Sequence, residues 1–228
     1  AAFRTLLSIA TCLLCLPASL PAQDGRRPFT REGRLLTEGR IFSIASADLD
    51  GDGRADIAVS DFIGHARVLF GDAAHGFTRV MTLTSTAETA REGHGVAIAD
   101  FNGDRRLDLF LAYNGGPSRL LCGDGKGGFA DSGRAIGAPG LNSTAVNAAD
   151  VDGDGDMDAL VVHYQQKDLV YLNDGRGAFT ASQQAFEGNA TIGDVDSDGD
   201  PDAVCVPGGG AGPVRTELLL FENTVRRR

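Results

Sequence analysis

The chain has 228 residues, 31 of them acidic and 21 basic, for a formal net charge of -10. That length holds one domain or two small ones, and a hydrophobic content of 42% supplies a core and excludes intrinsic disorder. The acidic balance excludes sequence-independent nucleic-acid binding, which needs a basic face. Four cysteines, two of them (Cys12 and Cys15) in one N-terminal apolar run, are too few for a disulfide-stapled mini-fold.

The first element in chain order is an address. Arg4 precedes an uncharged run from Thr5 to Leu16, Pro17 breaks it, and Ala22 offers a small-residue exit. This pattern predicts a secretory signal peptide over residues 1–22 and an exported chain over 23–228. The run is about 12 residues, short of the ~20 a membrane-spanning helix needs. A buried core helix, or a lipid anchor at Cys12 or Cys15, are the alternatives. No second long apolar run follows, so the mature chain is expected to carry no membrane span and to be secreted, periplasmic or at the cell surface.

Four copies of one acidic loop then dominate the sequence. They run Asp48-Leu49-Asp50-Gly51-Asp52-Gly53-Arg54-Ala55-Asp56, Asp100-Phe101-Asn102-Gly103-Asp104-Arg105-Arg106-Leu107-Asp108, Asp150-Val151-Asp152-Gly153-Asp154-Gly155-Asp156-Met157-Asp158 and Asp194-Val195-Asp196-Ser197-Asp198-Gly199-Asp200-Pro201-Asp202. Oxygen-bearing side chains fall at loop positions 1, 3, 5 and 9, and successive loops start 52, 50 and 44 residues apart. A second marker keeps pace: Phe77, Phe129 and Phe179 each lie 29 residues after the first loop Asp, behind turn-rich pieces at Gly71-Asp72, Gly123-Asp124-Gly125 and Asn173-Asp174-Gly175.

Charge dictates what such a loop must do. Carboxylates converging from positions 1, 3, 5 and 9 repel, at about 4 kcal/mol per pair ~4 Å apart for an effective dielectric of ~20. A hard divalent cation removes that cost, and an all-oxygen ligand set favours calcium over zinc or copper. Position 7 would add a backbone carbonyl from Arg54, Arg106, Asp156 and Asp200. Glycine at position 6 (Gly53, Gly155, Gly199) permits the sharp turn; Arg105 replaces it in the second loop, which also carries Asn102 at position 3 and is expected to be the weakest of up to four calcium sites. A lone loop of this kind could be no more than a solvated Asp-Gly turn, but four in register are not. The loops hold 17 of the 31 acidic residues, and without those carboxylates the formal charge would be +7. An EF-hand is excluded because position 12 holds Val59, Leu111, Val161 and Cys205 where an acid is needed.

Apolar runs flank each loop. In the second unit, strands are expected over 95–100, entering the loop, then 107–113, 118–122, and from Phe129 onward. Four strands in about 50 residues fit a β-propeller blade. The loops and the Gly/Asn-Asp-Gly-x-Gly-x-Phe pieces resemble the FG-GAP/VCBS repeats of integrin-α-like propellers, over about Phe29 to Asn223. That resemblance implies an all-β propeller of four four-stranded blades, each with a calcium loop between its first and second strands. It also implies calcium on the side chains at positions 1, 3, 5 and 9 and the carbonyl at 7. Family propellers commonly have seven blades, whereas four units are visible here. The last unit lacks its Phe-bearing strand, and Pro28-Phe29-Thr30 echoes Phe77-Thr78, so a strand near 28–36 is expected to close the last blade. A partial ring, or one shared by two copies of the chain, is the alternative.

No G-x-S-x-G elbow, H-E-x-x-H helix or phosphate-binding glycine loop is present. His65, His75, His94 and His163 do not recur at equivalent repeat positions. Asp61, Asp72, Asp124, Asp131, Asp168 and Asp174 remain outside the motif, mostly in turns, and Cys122 and Cys205 read as buried thiols. The expected function is non-catalytic protein or carbohydrate binding in adhesion. A calcium-dependent polysaccharide lyase or hydrolase on the same scaffold is the alternative.

Overall fold

The computed structural model describes residues 40–61, 65–73, 76–83, 92–207 and 218–223. Its strands form four antiparallel sheets in chain order. The first contains β1 (Ile41–Ala47), β2 (Asp56–Asp61), β3 (Ala66–Phe70) and β4 (Arg79–Leu83). The second contains β5 (Glu92–Ala99), β6 (Asp108–Asn114), β7 (Ser118–Gly123) and β8 (Phe129–Ile136). The third contains β9 (Ser143–Ala149), β10 (Asp158–His163), β11 (Lys167–Asn173) and β12 (Phe179–Glu187). The fourth contains β13 (Asn189–Gly193), β14 (Asp202–Val206) and β15 (Leu219–Phe221), three strands among the described residues. Each sheet is a meander and the sheets are the blades of a four-bladed, all-β propeller. Strand boundaries in the second blade fall within three residues of those read from sequence. The signal-peptide segment and the strand expected near 28–36 lie outside the described residues.

The amino-acid pattern explains the layering. Second strands read as nearly unbroken apolar runs, Leu109-Phe110-Leu111-Ala112 and Ala159-Leu160-Val161-Val162, because blades cover both their faces; all eight residues are buried. Outer strands β8 and β12 mix polar and apolar residues and are mostly exposed or half-buried. The core consists of three apolar layers between successive blades. First strands of neighbouring blades pack together. Among the described residues no apolar cluster joins the fourth blade to the first, and Ile44 of β1 and Leu220 of β15 are exposed.

The recurring phenylalanine fastens one blade to the one before it. Phe179 meets Phe101 and Phe110 of the second blade edge-on, with ring centroids 5.8 and 5.3 Å away. Phe129 packs likewise on the cluster containing Leu49. Phe101 and Leu49 are the apolar position-2 residues of their loops, so the phenylalanine of one repeat packs against the loop of the repeat before it. The turns ahead of the phenylalanines are closed by their aspartates: Asp124 Oδ1 accepts the N–H groups of Lys126 and Gly128, and Asp174 Oδ1 those of Arg176 and Ala178. Cys122 and Cys205 are free thiols.

Asp168, which the sequence pattern leaves among turn residues, is fully buried and joins two blades. Its Oδ1 accepts the N–H of His163 in β10, and its Oδ2 accepts the N–H of Ala190 in β13, both at 2.8 Å. Burial pushes its pKa up to about 6, against the two backbone donors, which favour the ionised form. The Cys205 thiol, which donates to the Glu187 carbonyl, is raised by burial and then by Asp168 and Glu187. His163, beside it, is lowered by burial. Because Asp168 holds its proton more tightly folded than unfolded, its contribution is full below about pH 4 and declines as the pH rises to about 6, by about 3 kcal/mol. D168N removes this titration, so the stability gap between the wild type and D168N is expected to be wider at pH 4 than at pH 7. Melts of both proteins across that range, in calcium, check it; a gap independent of pH contradicts it.

Candidate metal centre

Each acidic loop joins the first strand of a blade to its second, as expected. Its course is set by two left-handed residues. Position 4 is Gly51, Gly103, Gly153 or Ser197, with φ between 66° and 77°, and position 6 is Gly53, Arg105, Gly155 or Gly199, with φ between 66° and 97°. Arg105 and Ser197 adopt this region at a cost that glycine avoids. The requirement at position 4 was not anticipated from the sequence, although three of the four residues there are glycine.

The carboxylate at position 1 organises the turn. Asp48 accepts the N–H groups of Gly51 and Asp52 on Oδ1 and of Gly53 on Oδ2. Asp100 takes the equivalent three from Gly103, Asp104 and Arg105. Asp150 accepts from Gly153 and Gly155, and Asp194 from Ser197 and Gly199. These backbone donors, Gly53 foremost, lower the Asp48 pKa.

Position 9 does something that spacing alone does not reveal. Asp56, Asp108, Asp158 and Asp202 are buried, and each spends both oxygens on backbone donors. Oδ2 accepts the position-2 N–H of Leu49, Phe101, Val151 or Val195 at 2.8–3.0 Å. Oδ1 accepts an N–H at the end of the third strand: Gly71, Gly123, Asn173 or Asn223, at 2.8–2.9 Å. Position 9 therefore clamps the loop to the third strand whatever else it binds. At Gly123 the approach is so close that an added Cβ would lie 2.1 Å from the Leu107 carbonyl oxygen. Blades three and four place asparagine there, and its side chain extends the clamp: Asn173 Nδ2 donates to the carbonyls of Phe101 and Met157, and Asn223 Nδ2 to those of Val151 and Pro201.

Three of the loops bring carboxylate oxygens together. Asp48, Asp50 and Asp56 each place an oxygen within 4.8 Å of the others, as do Asp150, Asp152 and Asp158, and Asp194, Asp196 and Asp202. Positions 1, 3 and 9 thus converge. Position 5 is not part of these groups: Asp52, Asp104, Asp154 and Asp198 accept the position-7 N–H on Oδ1 at 2.9 Å. Asp52 and Asp104 also pair with the guanidinium groups of Arg54 and Arg106. Among the described residues the second loop forms no acidic triad, since Asn102 stands at position 3, turned to Asp104 through its side-chain amide.

The electrostatics fit a cation. Burial first, then Asp56 and Asp52, holds Asp50 above the ordinary carboxylate range. Burial, then Asp154, does the same for Asp152. Asp158 and Asp108 are pushed up to about 6 by burial against their two backbone donors, whereas Asp202 is lowered, chiefly by the N–H groups of Asn223 and Val195. Asp50 Oδ1 is buried with no hydrogen-bond partner, which is the deficit a hard cation would fill. An all-carboxylate donor set suits an alkaline-earth ion.

The FG-GAP-like repeat family matches residues 48–111 and 100–161, covering the first three loops. Among solved structures the chain is similar to the crystal structure of the V. cholerae biofilm matrix protein Bap1. The identity is 18%, over 71% of this chain and 23% of that one, with a TM-score of 0.42. The chain spans about a quarter of that protein's length. No curated protein matches. Among the described residues no helix is long and apolar enough to cross a membrane.

Proposed function

This chain belongs to the FG-GAP-like repeat family, and on that premise we propose that it is an exported, non-catalytic propeller whose loops take calcium and whose blades present a surface for binding protein or carbohydrate in adhesion. One observation carries the calcium reading: at the same place in three blades, carboxylates from positions 1, 3 and 9 converge within 4.8 Å. In the first, third and fourth loops the holding residues are Asp48, Asp50 and Asp56; Asp150, Asp152 and Asp158; and Asp194, Asp196 and Asp202. Position-5 carboxylates and the position-7 carbonyls of Arg54, Asp156 and Asp200 are the remaining candidate ligands. The second loop, with Asp100, Asn102, Asp104, the Arg106 carbonyl and Asp108, is the weakest site.

Bound calcium would supply charge neutralisation. The chain's own residues do the rest. Backbone N–H groups aim the position-1 carboxylate, and the position-9 clamp fixes loop against sheet, so the blade edges are held rigid for a partner. Outside the loops the buried carboxylates are structural: Asp168 is committed to two backbone donors, and Asp61 to the His65 N–H and the Arg67 guanidinium at 3.1 Å. The uncharged segment 5–16 supports export. The calcium-loaded chain is expected to bind at least one member of an immobilised panel of neutral and acidic polysaccharides and extracellular proteins, to release it in EDTA, and to leave polysaccharide length unchanged. Size-exclusion chromatography of the polysaccharides reads the last point, and chain shortening would overturn the non-catalytic reading.

A further inference from the structure

The first loop differs from the others in drawing a cation from outside the loop onto its position-3 carboxylate. Arg79 opens β4, and its guanidinium carbon lies 3.7 Å from the centroid of the Phe70 ring. From that seat Nη1 is 3.2 Å from Asp50 Oδ2, at loop position 3. The turn of the second blade closes the seat from outside: a Cβ at Gly127 would come within 2.6 Å of both the guanidinium and the Phe70 ring. The half-exposed guanidinium thus lies between an aromatic face and a neighbouring blade, and points at one carboxylate.

Among the described residues this arrangement belongs to the first blade alone. Arg79 stands two residues after the recurring phenylalanine, where blades two and three have Asp131 and Ala181. Phe70 stands one residue before the clamped Gly71, where the other two blades have Cys122 before Gly123 and Leu172 before Asn173. Neither pair can stack a guanidinium. The first loop also carries Arg54 at position 7, paired with Asp52, whereas the third and fourth loops place Asp156 and Asp200 there.

Resting on the calcium reading above, we propose that Arg79 is a tethered counter-ion of the first loop. It neutralises Asp50 when no divalent ion is bound and competes for that carboxylate when one arrives, so the first loop loads after the third. The competition is partial, because Asp50 Oδ1 has no hydrogen-bond partner and remains available while Oδ2 holds the arginine. A divalent ion drawn to Asp50 meets a fixed positive charge a few ångströms away, and the two repel. The Phe70 platform keeps that charge from swinging clear.

The test is calorimetric titration of the metal-free full chain with calcium chloride, alongside melts in EDTA and in saturating calcium. R79Q is expected to tighten the first loop's site about tenfold and leave the tight class and the weak second loop unchanged. R79K keeps the charge and stays near the wild type; F70L, which removes the platform but remains apolar, falls between. In EDTA R79Q melts below the wild type, and in saturating calcium the gap closes. If R79Q titrates and melts as the wild type does, while D152N still loses one site, the counter-ion role is wrong and the calcium reading stands. If no variant and no wild-type protein takes up calcium, both fall together.

Discussion

Saturating calcium is expected to raise the melting temperature by about 15–30 °C over that in EDTA. The size of the effect follows from site number. An ion at a hundredfold excess over its dissociation constant stabilises the folded chain by about 2.7 kcal/mol per site, so three sites give about 8 kcal/mol. For a domain of this size each kcal/mol moves the midpoint by about 2–4 °C. The reverse side of the same physics is repulsion in the empty loops. Two unit charges 4.8 Å apart cost about 3 kcal/mol at an effective dielectric of ~20. Part of that repulsion is relieved without metal by the backbone donors around Asp48 and Asp150 and by Arg79 beside Asp50, so the chain is expected to fold in chelator too, at a lower midpoint. Magnesium should give a smaller shift, since it demands tight octahedral geometry and gives up its waters reluctantly. Differential scanning calorimetry in EDTA, magnesium and calcium measures all three; equal midpoints would remove calcium from the account.

Much of this architecture was legible in the sequence because it repeats. The period fixed the blade count, the apolar runs after each loop placed β2, β6, β10 and β14, and the constant separation of loop and phenylalanine marked each repeat, although the contact the phenylalanine makes runs to the preceding blade's loop. What escaped was information carried between distant positions. Spacing cannot tell a carboxylate that only binds a metal from one that also clamps a strand 15 residues away, as Asp56, Asp108 and Asp158 do. Asn173 looked like a turn residue until its side chain was seen spanning to the Phe101 carbonyl, 72 residues earlier. The sequence pattern leaves Asp168 among turn residues because its partners, His163 and Ala190, lie on other strands. Arg79 carried no motif at all, since its meaning depends on Phe70, Gly127 and Asp50 meeting in one place. Position 5 reads as a ligand by its alternation with positions 1 and 3, yet its Oδ1 is engaged by the local turn.

The clamp and the ligand roles separate in a pair of substitutions. Asp108 is the cleaner position for the clamp, because its loop has Asn102 and forms no acidic triad. D108A leaves the N–H groups of Phe101 and Gly123 unpaired in a buried site, at about 1–3 kcal/mol each, with a small cavity added. A loss of about 3–5 kcal/mol is expected, nearly all of it already present in EDTA, with only a small addition in calcium because the second loop is the weakest site. D108N should fall between, since its carbonyl oxygen still accepts one N–H while its amide presents a donor to the other. Asp152 gives the opposite signature. It sits at position 3 of the third loop, where burial and Asp154 disfavour its charge and no strand depends on it. D152N should therefore leave stability in EDTA unchanged or raise it, by removing a repelling charge, and lower it in calcium by removing a ligand. Denaturant melts of the two variants in both buffers form the comparison. If D108A proved harmless in EDTA, the clamp would have no energetic weight. If D152N shifted stability equally in both buffers, position 3 would be structural and the triads would lose their claim to an ion.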